Sequence, residues 1–154
     1  MRTDLRPSIK VMSEPFVDTD VIIRLLTGDD PQKQAEAADL FKQVEAGNLR
    51  IAVPDTVIAD AVYVLSSPRL YNIPRSQVQE LLAPLVRLPN FRVRNKPAVL
   101  LALQHYSNNN IDFGDALIMA SMQQANSQVL YSYDTDFDRF PDVMRRSPSE
   151  MSNS

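Results

Sequence analysis

The stretch Pro15 to Leu26, PFVDTDVIIRLL, constrains the fold of this chain more than any other. A short apolar run, Phe16 and Val17, stops at Asp18. Thr19 and Asp20 follow, and a second apolar run, Val21 to Ile23 and Leu25 to Leu26, resumes at once. The pattern predicts a strand that ends at Asp18 and turns directly into a helix. In open α/β sheets, ligands bind in the crevice at the carboxyl ends of the strands, so an acid at this point stands where chemistry is usually done. Taken alone, Asp18, Thr19 or Asp20 is as simply explained as the N-cap of the next helix. The rest of the chain shifts that balance.

Downstream, helical and strand-like segments alternate. Pro31 to Gly47 carries Ala35, Ala38, Leu40, Phe41 and Val44 on a helical stripe, with Gly47 as its stop. Leu49 to Val53 reads as a strand, followed by a helix to Leu65 capped by Asp55 or Thr56. Arg75 to Leu88 is an amphipathic helix between Pro74 and Pro89, and Phe91 to Arg94 is a short alternating strand. Helices are expected from Pro97 to Ser107 and, starting near Asp112, from Ile111 to Ala125. Val129 to Tyr133 is a strand ending at Asp134, Thr135 to Phe140 a loop or single turn, and Val143 to Arg146 a last edge strand. This order implies a mainly parallel sheet covered on both faces, a three-layer α/β/α sandwich. Residues 1–13 read as an N-terminal extension, 14–147 as one domain and 148–154 as a disordered tail.

Composition excludes several classes of site. The 154 residues suit one domain with a real core. No run of about 18 apolar residues offers a membrane span, and the N-terminus lacks the apolar centre of a signal peptide. Without cysteine there is no disulfide, thiolate metal site or Cys nucleophile, and a cytoplasmic location fits. The single histidine, His105, excludes sites built from several imidazoles and falls in a helical stretch, where it reads as structural. The net charge of −3 argues against a generally basic nucleic-acid-coating protein, though not against a local basic rim.

Three groups of acids fit structural roles poorly. Asp60 sits mid-helix in VIADAVYVL, a full turn past any capping position, on a face shared with Val57 and Val64. A charged carboxylate beside the core is costly unless paired or bound to a metal, although the position could equally lean into solvent or meet an Arg. Asp112 is well placed as an N-cap. Asp115, three residues later, favours the helix dipole but runs straight into the apolar stretch Ala116 to Ala120. Gly114 beside it permits close approach of another segment or a ligand. Asp134 and Asp136 follow an apolar strand as Asp18 does, in a stretch that also suits a turn. Carboxylates about 4 Å apart at an effective dielectric near 20 repel by roughly 4 kcal/mol per pair, so a cluster of four calls for a cation. An all-oxygen ligand set selects Mg²⁺ or Mn²⁺ over zinc, and such sites perform phosphoryl transfer or phosphodiester hydrolysis.

At this point the sequence resembles the PIN-domain nucleases, of the VapC-like toxin type. The matching segments are FVDTDVII, VPDTVIADAVYVL, IDFGDALIMASMQQA and VLYSYDTDFDRFPDV, in the family's order and over nearly the whole chain. The resemblance puts the family's four acids on Asp18, Asp60, Asp115 and Asp134, with Asp18, Asp115 and Asp134 holding metal. Thr19, Asp20, Asp112, Ser132 and Asp136 fall on supporting positions. It implies Mg²⁺- or Mn²⁺-dependent cleavage of RNA, a homodimer, and a cognate antitoxin that blocks the site. The chain departs from the pattern where Asp60 replaces the usual Glu, Asp20 a frequent Asn, and Ser132 a common Thr.

Arg69, Arg75, Arg92, Arg94 and Lys96 are candidate contacts to RNA phosphates, against a background expectation of solvated surface charge. Two other readings compete. VDTD also resembles the opening Asp-x-Asp of haloacid-dehalogenase-like phosphatases, with Asp18 as nucleophile. However, no Gly follows Asp20, the chain is short for a cap, and Lys96 is poorly set for that family's cation. The other is a PIN-like RNA- or protein-binding module whose altered site no longer cuts.

Overall fold

Parallel pairing sets the position of everything else. The computed structural model describes residues 14–153, so the expected extension over 1–13 lies outside them. Phe16 forms an isolated parallel bridge with Ala52, and the Ala52 N–H donates to the Pro15 carbonyl at 2.8 Å. After the bridge come α1 (Thr19–Leu26), α2 (Pro31–Glu45), β1 (Ile51–Val53), α3 (Asp55–Ser66) and α4 (Arg75–Arg87). Then follow β2 (Phe91–Val93), α5 (Lys96–Asn108), α6 (Phe113–Gln124), β3 (Val129–Tyr131), a 3-10 segment (Thr135–Arg139) and β4 (Met144–Arg146). β1 pairs in parallel with β2, Ile51 opposite Phe91 and Val53 opposite Val93. β3 pairs in parallel with β4, from Val129 opposite Met144 to Tyr131 opposite Arg146. The result is the expected α/β class with parallel strands, consistent with an α/β/α arrangement.

Local chemistry explains the boundaries. Asp30 caps α2 by accepting from the Lys33 N–H at 3.1 Å. At the other end Gly47 takes φ +84°, the left-handed conformation glycine adopts without strain. Its N–H reaches the Val44 carbonyl at 3.1 Å and the Asn48 N–H reaches Gln43 at 2.9 Å, which closes the helix with a Schellman motif. Pro54, rather than Asp55 or Thr56, occupies the N-cap of α3, and Asp55 lies in the first turn. His105 holds α5 to α6 through Gln123, with Nε2 and Oε1 2.7 Å apart.

Where composition suggests a tail without fixed structure, a second 3-10 segment, Pro148–Asn153, follows β4. The Ser147 N–H donates to Glu150 Oε1 at 2.6 Å and the Glu150 N–H to the Ser147 carbonyl at 2.9 Å, so a Ser-x-x-Glu start holds it.

Helices cover one face of the β1–β2 pair. Ile51, Val53, Phe91 and Val93 are buried there with Phe41, Ile58, Leu65, Leu82, Val99 and Leu103. The Phe41 and Phe91 rings stand 5.3 Å apart. The other face carries Phe16, Ala52 and Arg92 in one cross-strand row. It is open among the described residues, with Phe16 69% exposed.

Arg75, a candidate RNA contact, is engaged within the scaffold. Its Nη1 donates to the carbonyls of Ile111 (2.7 Å), Tyr106 (3.0 Å) and Asn109 (3.4 Å), and its guanidinium lies 4.3 Å from the centre of the Tyr106 ring. The charge is taken up by carbonyls of the last turn of α5 and of the loop that leads into α6. Arg75→Ala is expected to lower stability by about 1.5–3 kcal/mol, the range for hydrogen bonds to a charged group. Urea unfolding would show this as a lower midpoint at unchanged slope.

Candidate functional site

The candidate acids form two groups. The first lies in an open cleft of about 520 Å³ lined by Asp18, Thr19 and Asp20 at the start of α1, by Asp60 and Tyr63 of α3, and by Leu70 and Tyr71 of the next loop. Asp18 sits in extended backbone at the N-cap of α1, where its Oδ1 accepts from the Thr19 N–H at 2.7 Å. The capping role and the position at the strand's end therefore coincide. Asp60 is exposed and borders the same cleft, so its place in mid-helix reflects neither a cap nor a buried charge.

The second group gathers at the start of α6. Asp115 is half-buried, and its carboxyl is held above the ordinary carboxylate range, first by burial and then by the charges of Asp134, Asp112 and Asp136. Asp112 occupies the N-cap position yet makes no side-chain capping bond. Asp134 is fixed by a turn: its N–H donates to Ser132 Oγ at 3.0 Å, and its Oδ1 accepts from the Asp136 N–H at 2.9 Å. Buried Phe137 anchors the 3-10 segment, and Arg139 donates to the Asn110 carbonyl, which ties that segment to the α5–α6 loop. Gly114 differs from the expectation of close approach. A Cβ added there would meet nothing within 4 Å among the described residues.

α3 contacts both α1 and α6, so the helix that carries Asp60 packs against the helices that begin at Asp18 and at Asp112. Among the described residues, no three His, Cys, Asp or Glu side chains stand close enough to hold a metal ion as placed. The donor chemistry nevertheless suits a hard divalent cation: the candidates are carboxylates, and burial together with the charges of Asp134, Asp112 and Asp136 already raises the proton affinity of Asp115.

The candidate basic residues separate by partner. Lys96 donates to the Leu88 carbonyl at 2.9 Å and Arg92 pairs with Glu14 at 3.2 Å. Arg69 and Arg94 are exposed. Sequence reasoning missed several positioning residues. Asp29 accepts from Tyr71 Oη (2.6 Å), Thr27 Oγ1 (3.0 Å) and Arg24 Nη1 (3.2 Å), which clamps the loop after α1 to the loop after α3 across the cleft. The Tyr71 bond is the main cause that lowers the Asp29 pKa. Arg145 grips Asp138 through two bonds (2.8 and 3.2 Å) and donates to the Ser132 carbonyl at 3.0 Å, and so braces the turn that carries Asp134.

Parallel strands, helices packed on them and carboxylates collected around α3 define an α/β domain with an all-oxygen acidic site. The model of the PIN domain family matches residues 16–143, most of the chain, and the chain belongs to that family. No curated protein matches it. PIN domains are generally nucleases that act on nucleic acid and require a divalent metal ion, typically Mg²⁺. Membership takes the VDTD motif out of the haloacid-dehalogenase-like reading. Among the described residues, no helix is long and apolar enough to cross a membrane.

The raised Asp115 pKa has a stability consequence. Between its unfolded and its higher folded value, the folded state binds more proton, so this group's contribution to stability falls as pH rises through that window. Asp115→Asn removes the repulsion. It is expected to raise the metal-free melting temperature at neutral pH and to flatten the pH dependence in the carboxylate range. Thermal scans of both proteins in EDTA across that range would measure this.

Proposed function

We propose that this protein is a Mg²⁺- or Mn²⁺-dependent endoribonuclease, the toxin of a toxin–antitoxin pair of the VapC-like type. The observation that carries this reading is the crowding of Asp115 by Asp134, Asp112 and Asp136 beside the Asp18–Asp60 cleft. In this reading Asp18, Asp115 and Asp134 hold the ion and Asp60 closes the site. Thr19, Asp20, Asp112, Ser132 and Asp136 orient or surround those ligands. A divalent cation supplies, when bound, charge stabilisation on the phosphoryl oxygen and a more acidic water. The chain's own groups do the positioning: the Thr19 N–H orients the Asp18 carboxylate, and Ser132 and the Asp136 N–H orient Asp134. The nuclease domain is taken as residues 14–147, preceded by an extension over 1–13. A homodimer, a cognate antitoxin that covers the acidic cleft and a cytoplasmic location go with this reading.

A second reading, a binding module that no longer cuts, draws on two observations. Among the described residues no three acids are at ligating distance as placed, and Asp60 is one methylene shorter than Glu.

Cleavage of a mixed RNA pool with Mn²⁺, Mg²⁺ or EDTA separates the two. Metal-dependent cutting is expected. Asp18→Asn and Asp134→Asn should lower it by more than the roughly 10–100-fold typical of residues behind the ligands. Thermal stabilisation by Mn²⁺ without cutting would favour the binding module.

A further inference from the structure

One sheet face takes no part in the site described above. Phe16, Ala52 and Arg92 lie in register across it, and Pro54, Arg94 and Lys96 border the same shallow cleft of about 520 Å³. Phe16, at the end of that cross-strand row, is 69% exposed. The cations here outnumber the anions. Glu14 is the only acid that lines the cleft among the described residues, and it meets both Arg92 (3.2 Å) and Arg50 (3.8 Å). Arg94 makes no side-chain bond among the described residues. The Lys96 ammonium is held below its ordinary range mainly by burial, and secondarily by the neighbouring charge of Arg92.

We propose that this face binds single-stranded RNA, with Phe16 as a stacking platform for one base and Arg92 and Arg94 as phosphate contacts, and that it delivers the strand to the acidic cleft. The proposal rests on the nuclease reading above and adds where the substrate lies. An exposed ring among cations is the combination that holds single strands, because every base offers a π-face while the backbone needs positive charge. A cleft built of carboxylates repels phosphate, so a strand reaching it needs a cationic surface alongside. Phe16 lines the one cleft and Asp18 the other, and only two residues of extended chain, roughly 7 Å, separate them. The net charge of −3 does not oppose this, because charges more than about 8 Å away are largely screened at physiological salt.

The test is fluorescence anisotropy of a labelled oligouridine of about 12 nucleotides. It uses the full-length protein in EDTA, so that nothing is cut. Phe16→Ala should weaken binding roughly 5- to 150-fold, the equivalent of one lost base stack, and Phe16→Trp should retain it. Arg94→Ala should lower the slope of log K against log salt by about 0.7. Both residues are exposed, and unchanged circular dichroism would confirm folded variants. Wild-type affinity in Phe16→Ala and Arg94→Ala would overturn the proposal. So would Phe16→Ala changing only the mass seen by light scattering, which would mark the face as a contact with a second copy. Tighter binding by Phe16→Ala would also overturn it. Metal-dependent cleavage, measured in parallel, keeps the two readings apart. Cutting with unaltered face variants removes this proposal alone, whereas the predicted binding pattern without cutting removes the nuclease alone.

Discussion

The acidic end of this molecule depends on the register of a very short parallel pairing. Phe16 opposite Ala52, and Ala52 opposite Arg92, is enough to send Val17 into the core and Phe16 out of it. A slip of one residue would exchange the faces: the ring would be buried, the valine exposed, and Asp18 displaced from the mouth of the cleft. β1 and β2 are only three residues long each, too short to hold that register through ladder hydrogen bonds alone. The helices supply the rest. Ile51, Val53, Phe91 and Val93 point into a core lined by α2 through α5, and a slipped register would leave those side chains in water.

With the register fixed, the cost of the site can be located. Asp115 is half-buried among like charges, an arrangement that opposes folding at neutral pH. The groups that hold it there are not themselves acidic. Phe137 buries its ring, Arg139 reaches the Asn110 carbonyl, and Arg145 braces the Ser132 turn. Each fixes the 3-10 segment without touching the Asp115 carboxylate or neutralising it. The repulsion is therefore kept rather than relieved, which is the usual relation between a functional site and the scaffold that supports it.

How much of this the sequence discloses depends on distance along the chain. Asp18 and Asp134 are legible because the signal is local: an apolar run that stops at an acid. Asp60 is legible because Asp is out of place in a helix interior. Gly47 announces the end of α2 through the one conformation glycine takes freely. The remainder is non-local. Tyr71 and Asp29 meet across 42 positions, and Arg75 finds its carbonyls 31 to 36 positions on, so neither pairing leaves a trace in any window of sequence. Phe16 misleads for a different reason. Two apolar residues before an acid read as a buried strand, and alternation over so short a segment has no statistical weight. Val129 and Tyr131 deceive in the same way, as apolar residues of β3 that remain partly exposed.

The same distinction between local and summed quantities applies to charge. A net charge of −3 describes a weakly acidic protein, yet acids and cations are unevenly spread. Asp18, Asp20 and Asp60 line one cleft with Arg24, while Arg92, Arg94 and Lys96 line the open sheet face with Glu14, and Arg50 stands beside it. Because screening acts over about 8 Å, each patch sets its own local field and the sum sets neither. Two neighbouring patches of opposite sign suit a ligand that is itself divided: a polyanion held by cations along its length and met, at one phosphate, by acids that need a divalent cation before they can approach it. A patch of either sign alone would lack one half of that arrangement. Carboxylates alone would hold a cation with no strand to bring to it, and cations alone would hold a strand with nothing to act on it. Phe16 and Asp18, two residues apart, border one patch each, which is why the shortest pairing in the fold carries the most functional consequence.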